Sequence, residues 1–86
     1  MPKQELQGLR VVLLRALNEN QLLILSKTDG RQSITSLLLG ISETSSVPIS
    51  TLKLNAQILK KIGLMDFNGK PASLTRLGKL VIALLS

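Results

Sequence analysis

The chain contains neither cysteine nor histidine. Without a thiol there is no disulfide and no thiolate nucleophile, and without imidazole the usual zinc and transition-metal ligands are missing, which excludes a structural zinc site. Tryptophan and tyrosine are also absent, and Phe67 is the single aromatic residue. A binder of RNA or single strands built on aromatic stacking platforms is therefore not expected. Acidic residues number only five, none at a spacing suited to paired acid-base work, and there is no glycine-rich phosphate loop. These deficits argue against an enzyme and against any cofactor. The longest apolar run, Leu80 to Leu85, falls far short of the roughly 20 residues a bilayer span requires. The N-terminal MPKQELQG has no apolar segment of the signal-peptide kind. An intracellular, cytoplasmic, soluble protein is the expectation.

What is present suits one small folded domain. Eighty-six residues leave room for a thin core without cross-links. Hydrophobic residues make up 44% and charged residues 19%, a balance unlike that of disordered chains. The formal charge of +6 is unevenly placed: residues 53–86 hold Lys53, Lys60, Lys61, Lys70, Arg76 and Lys79 against Asp66 alone, a net +5. A basic half attracts polyanions such as nucleic acid or an acidic membrane surface, although charge of this size can also serve solubility alone.

No internal repeat or low-complexity tract interrupts the chain, which divides into short elements. In residues 3–17, Leu6, Leu9, Leu13 and Leu17 recur at helical spacing, with Val12 and Ala16 widening the stripe and Val11 and Leu14 on its flank. Asn18 stands three residues before Gln21 and just ahead of LLIL, the signature of a capping box, so a second helix is expected over 19–28. Nothing between Ala16 and Leu22 forbids one continuous helix instead. Asp29-Gly30 ends it. A short third helix follows, capped by Ser33 or Thr35, with Ile34, Leu37, Leu38 and Ile41 as its buried face. A turn over Glu43–Val47 then leads to Pro48, which suits the first position of a helix over 48–62. That helix has Leu52, Ala56 and Leu59 on one side and Ser50, Lys53, Leu54, Gln57 and Lys61 on the other.

Gly63 is placed to end this helix, with Lys60 and Lys61 complementing the dipole in its last turn. Two extended runs over 64–74 surround Asn68-Gly69, a pair that tolerates positive φ at both positions of a two-residue hairpin turn. Pro71 lacks an amide donor, so its strand is expected at an edge. Thr75 caps a last helix in which Leu77, Leu80, Val81 and Leu84 repeat as one stripe while Ile82 and Leu85 fall outside it. The fold class is mainly α with a small β-hairpin.

Helix, helix, helix, helix, hairpin, helix is an order that resembles the winged helix-turn-helix family, in particular its small bacterial and archaeal transcriptional regulators. The resemblance covers residues 18–86, with 1–17 as an added N-terminal helix and candidate dimerisation element. It is carried by LKKIGLM (Leu59 to Met65), similar to the family's passage from recognition helix to wing, and by SLTRLG (Ser73 to Gly78), similar to its Leu-Thr-x-x-Gly exit. NENQLLIL is similar to the first helix. The resemblance implies sequence-specific binding of double-stranded DNA, with helix 48–62 in the major groove and hairpin 64–74 as the wing.

Under that expectation Ser50 and Thr51 contact phosphates from the helix N-terminus, and Lys53, Leu54 and Gln57 face base edges. Lys61, Lys70 and Arg76 contact the backbone. The rival is a winged helix used for protein assembly without DNA, which an aliphatic Leu54 on the exposed face and a small wing also fit. Surplus apolar surface on the first and last helices suggests a homodimer through Leu6, Leu9, Leu13, Leu14, Ile82 and Leu85, unless those helices simply pack on each other. A membrane-surface role for the first helix is disfavoured, since Arg10 and Arg15 make too weak a basic face. No small-molecule effector is indicated.

Overall fold

A computed structural model describes residues 2–86. The elements are α1 (Lys3–Ala16), α2 (Glu19–Lys27), α3 (Ile34–Ser45), α4 (Ile49–Lys61), β1 (Met65–Asp66), β2 (Ser73–Leu74) and α5 (Arg76–Leu85). The described chain is therefore mainly helical, with one two-stranded antiparallel hairpin between α4 and α5. None of the described helices is long and apolar enough to cross a membrane.

The chain breaks between α1 and α2, because Leu17 is extended (φ −103°, ψ 133°) and Asn18 caps α2. The Asn18 carboxamide oxygen accepts the Gln21 N–H at 2.8 Å, and the Gln21 side chain accepts the Asn18 N–H at 3.2 Å. Two of the N-terminal amides that a helix leaves without partners are satisfied by this reciprocal pair. Ser33 rather than Thr35 caps α3, accepting the Ser36 N–H. The core joins Ile24 and Leu25 of α2, Leu37, Leu38 and Ile41 of α3, and Leu52, Ala56 and Leu59 of α4, with Leu17, Leu64, Met65, Ala72 and Val81 completing it. Ile34 packs against it half-buried.

The turn expected over Glu43–Val47 is shorter than that and lies further on, at Ser46–Pro48. The polar run stays helical because its hydroxyls find acceptors along it: Thr44 Oγ1 donates to the Gly40 carbonyl and Ser45 Oγ to the Ile41 carbonyl. Ser46 then reverses the chain in the left-handed region (φ 62°). Ser42 Oγ donates to the Val47 carbonyl at 2.7 Å and fixes the far side. Pro48 is the residue before α4, not its first, and its carbonyl takes the N–H groups of Thr51 and Leu52.

The end of α4 follows from Gly63. With Gly63 at φ +85°, its N–H reaches the Lys60 carbonyl (3.1 Å) and the Leu64 N–H reaches the Leu59 carbonyl (3.0 Å). That is the Schellman arrangement, and the buried Leu64 and Leu59 supply its hydrophobic contact. The hairpin departs from expectation. A two-residue turn at Asn68-Gly69 would set Met65 opposite Ala72, whereas Met65 pairs with Leu74 and Asp66 with Ser73. The register slips by two residues, so Met65 stays buried, since side chains alternate with a period of two. Residues 67–72 form a wider loop in which Gly69 takes positive φ and Asn68 does not. The reason is that Ala72 gives its N–H to the Gln32 carbonyl at 2.7 Å, tying this arm to the α2–α3 connection instead of to β1. Pro71 lies in the loop, outside the ladder.

The last helix is rotated from the expected stripe. Leu77 and Leu80 are exposed, while Val81 is buried and Ile82 and Leu85 pack against the core. The cause is Gly78. A Cβ there would lie 2.0 Å from the Leu64 carbonyl oxygen, so α5 meets the hairpin backbone along the glycine side. Val81, Ile82 and Leu85, three, four and seven residues further, then face inward. Along α1, Leu6, Leu9 and Leu13 are half-buried where that helix packs on α5, while Val12 and Ala16, which widen the apolar stripe, are exposed.

Candidate nucleic-acid interface

Helix α4 has one locked side and one free side. Leu52 and Leu59 are 0% exposed and Ala56 1%, so the helix cannot rotate without opening the core. Asn55, 6% exposed, adds a polar clamp: its side-chain oxygen accepts from Asn18 Nδ2 at 2.9 Å and its Nδ2 donates to the Thr51 carbonyl at 2.9 Å. The cap of α2 is thereby joined to the middle of α4. Both amide groups are satisfied, as a buried carboxamide requires.

Ser50, Lys53, Leu54, Gln57 and Lys61 all lie exposed on α4, so the structure places these five on its free side. Lys53, Gln57 and Lys61 form one row at four-residue intervals, and Ser50 precedes it by a turn. Thr51 is half-buried at the edge of this face. Because Thr51 and Leu52 already give their N–H groups to Pro48, the helix N-terminus offers fewer amides to an anion than its sequence implies.

Lys53 and Gln57 also line a depression with Ile34, Thr35, Leu38, Ala56 and Phe67. An adjoining depression, sharing Ile34 and Phe67, brings in Ser33, Gly69, Lys70 and Pro71. The start of α3, the free side of α4 and the hairpin loop thus border continuous concave ground, with Lys53 in one part and Lys70 in the other. Arg76, exposed in the first turn of α5, lines neither part.

Three residues outside the expected set belong to this surface. Ile58 and Ile62 are 38% and 49% exposed, and with Leu54 at 65% they form an aliphatic row beside the basic one. Their positions 54, 58 and 62 show the four-residue interval in the sequence, but apolar residues are usually assigned inward. Lys60 is the third: its Nζ lies 4.8 Å from the centroid of the Phe67 ring and meets the Asn68 side-chain oxygen. It joins α4 to the hairpin loop and is engaged within the chain. The pairing is visible in sequence only once the hairpin is known to fold back over α4.

The residues expected at a dimer surface are mostly occupied within the chain. Leu13, Ile82 and Leu85 pack against the core, and Leu6 and Leu9 are half-buried. Leu14 alone of the six is exposed, at 53%. The surplus apolar surface lies instead on Val11, Val12, Leu14, Leu77 and Leu80, because α1 and α5 turn their expected outer residues toward each other and the core. No family model matches the chain, and no curated protein or solved structure is significantly similar to it.

Proposed function

We propose that this protein binds double-stranded DNA as a winged helix-turn-helix regulator, with α4 entering the major groove and the hairpin as its wing. The main support is the free side of α4, where Ser50, Lys53, Gln57 and Lys61 project from a helix whose other side is locked in the core. The Ser46–Pro48 connection between α3 and α4 has the length of a helix-turn-helix turn. Lysine suits guanine, glutamine suits adenine, and the exposed Leu54 suits a thymine methyl group. Ser50 and Lys61 on α4 and Lys70 in the hairpin loop supply phosphate contacts, with Thr51 at the edge of the free face of α4. Arg76 extends the basic field, and the net +5 of residues 53–86 favours a polyanion. Such a regulator works in the cytoplasm, on the nucleoid.

Titration onto mixed-sequence duplex DNA at several salt concentrations tests this. Affinity is expected to fall steeply with salt as counterions are released, and the Lys53→Ala/Lys61→Ala variant should reduce the log–log slope by about one to two. Failure to bind any duplex at low salt would remove the proposal. The aliphatic row Leu54–Ile58–Ile62 favours a second reading, a winged helix used for protein assembly. In that case Leu54→Ser would abolish association with a protein partner, and no salt-dependent DNA binding would be seen.

A further inference from the structure

The outer side of α1 has no part in DNA binding as proposed above, yet its residues are ordered. Glu5, Gly8, Val12 and Arg15 succeed one another at intervals of three, four and three, the spacing that keeps side chains on one seam of a helix packed against another. All four are exposed, Val12 at 61%. Leu6, Leu9 and Leu13 are the half-buried residues of the same helix, so the seam lies away from α5.

Its order is acidic, small, branched, basic, and that order is complementary to its own reverse. Two copies set antiparallel about position 10 bring Glu5 of each opposite Arg15 of the other, and Gly8 of each opposite Val12 of the other. Within one chain the acid and the base lie about 15 Å apart along the helix axis, too far to pair. Gly8 has no explanation inside the monomer: it occupies a helix interior, where glycine is unfavourable, and a Cβ there would meet nothing within 4 Å. Opposite an incoming valine, a missing side chain lets the backbones approach, since small residues facing large ones interdigitate.

We propose that α1 joins two copies of this chain, packed antiparallel along the Glu5–Gly8–Val12–Arg15 seam. A second copy is the occupant because the seam has one charge of each sign at opposite ends, which matches its own reverse; a uniformly acidic or basic partner would meet repulsion at one end. The inference does not depend on whether α4 binds DNA. With only two apolar positions per copy the association is weak, in the micromolar range.

Sedimentation analysis of the full chain from about 1 μM to about 500 μM tests it, with dimer expected to grow in across the range. Glu5→Arg and Arg15→Glu should each weaken association by about tenfold, through lost ion pairs and new like-charge contacts. Combining them should restore it, because the double reversal rebuilds both pairs only in an antiparallel dimer. Val12→Glu should give a monomer. All these positions are exposed, and an unchanged circular dichroism spectrum confirms that each variant folds. A monomer at every concentration would overturn the proposal. So would a dimer indifferent to the single reversals, or a double reversal no stronger than the singles.

Discussion

Thr75 and Gly78 show how much geometry two small residues can hold. The Thr75 hydroxyl donates to the Gly63 carbonyl at 2.6 Å and accepts the Gly78 N–H at 3.1 Å, while its own N–H reaches the Leu64 carbonyl at 3.1 Å. One residue therefore joins the end of α4, the entry to β1 and the start of α5. Gly78→Ala would push a Cβ to 2.0 Å from the Leu64 carbonyl oxygen, a backbone atom that cannot step aside cheaply. We expect a loss of more than about 2 kcal/mol in urea denaturation. Gly40→Ala is the internal comparison, an exposed helix position with nothing within 4 Å of a new Cβ. It should stabilise by about 0.5–1 kcal/mol. If both alanines had the same effect, close approach would not be the reason for Gly78. The buried Asn55 invites a second measurement. Asn55→Ala should cost about 0.5–1.5 kcal/mol, since it removes the bond that joins the exposed Asn18 cap to α4. A double-mutant cycle with Asn18→Ala should show coupling of at least about 0.5 kcal/mol, and strict additivity would mean that the Asn18–Asn55 bond contributes nothing.

Among the elements, the α3–α4 connection and the hairpin depart furthest from local expectation. Ser46 holds a left-handed conformation that glycine adopts more readily, and among the described residues its exposed side chain has no hydrogen bond that a glycine would lose. Ser46→Gly should raise the denaturation midpoint, by about 0.5–1 kcal/mol in stability. A lower midpoint would argue against this turn. In the hairpin, Asn68-Gly69 correctly marks where the chain reverses, but a dipeptide cannot state how far the ladder extends toward it. That is decided by Ala72, whose N–H is taken by Gln32, and by Lys60, which lies over Phe67. Lys60→Ala should therefore speed amide exchange in residues 67–70 without altering α4, through loss of a contact worth about 0.5–1 kcal/mol. Equal protection in both proteins would show that the loop holds itself.

For the molecule as a whole, the question is which surfaces remain after the core is formed. Its radius of gyration, 13.1 Å, exceeds the about 12 Å expected at this length. Helix α1, packed on α5 with no residue fully buried, lies at the periphery. Two separate surfaces result: the basic and aliphatic rows of α4 with the hairpin beside them, and the self-complementary seam of α1. If α1 joins two copies and α4 binds DNA, as proposed above, Val12→Glu should leave the intrinsic affinity for one DNA half-site unchanged while lowering affinity for a paired site. Anisotropy titrations on single and paired sites read both quantities, and a fall in half-site affinity would show that the surfaces are not independent.

Element types and most helix limits were legible in the residues, because they depend on local causes: a capping box at Asn18–Gln21, a glycine after Ile62, and a threonine cap three residues before Gly78. The basic side of α4 was legible as well, since Leu52, Ala56 and Leu59 leave Ser50, Lys53, Leu54, Gln57 and Lys61 on the opposite arc. The rotation of α5 was not. Leu77, Leu80, Val81 and Leu84 make as good a stripe as Gly78, Val81, Ile82 and Leu85, and a helix that is apolar nearly all round has no periodicity to choose its buried side. Contact between the Leu64 backbone and Gly78 made that choice, and with it determined which leucines α5 leaves in water. The hairpin register and the task of Lys60 have the same origin. They depend on groups far apart in the chain that meet only when α3, α4 and the loop are packed together.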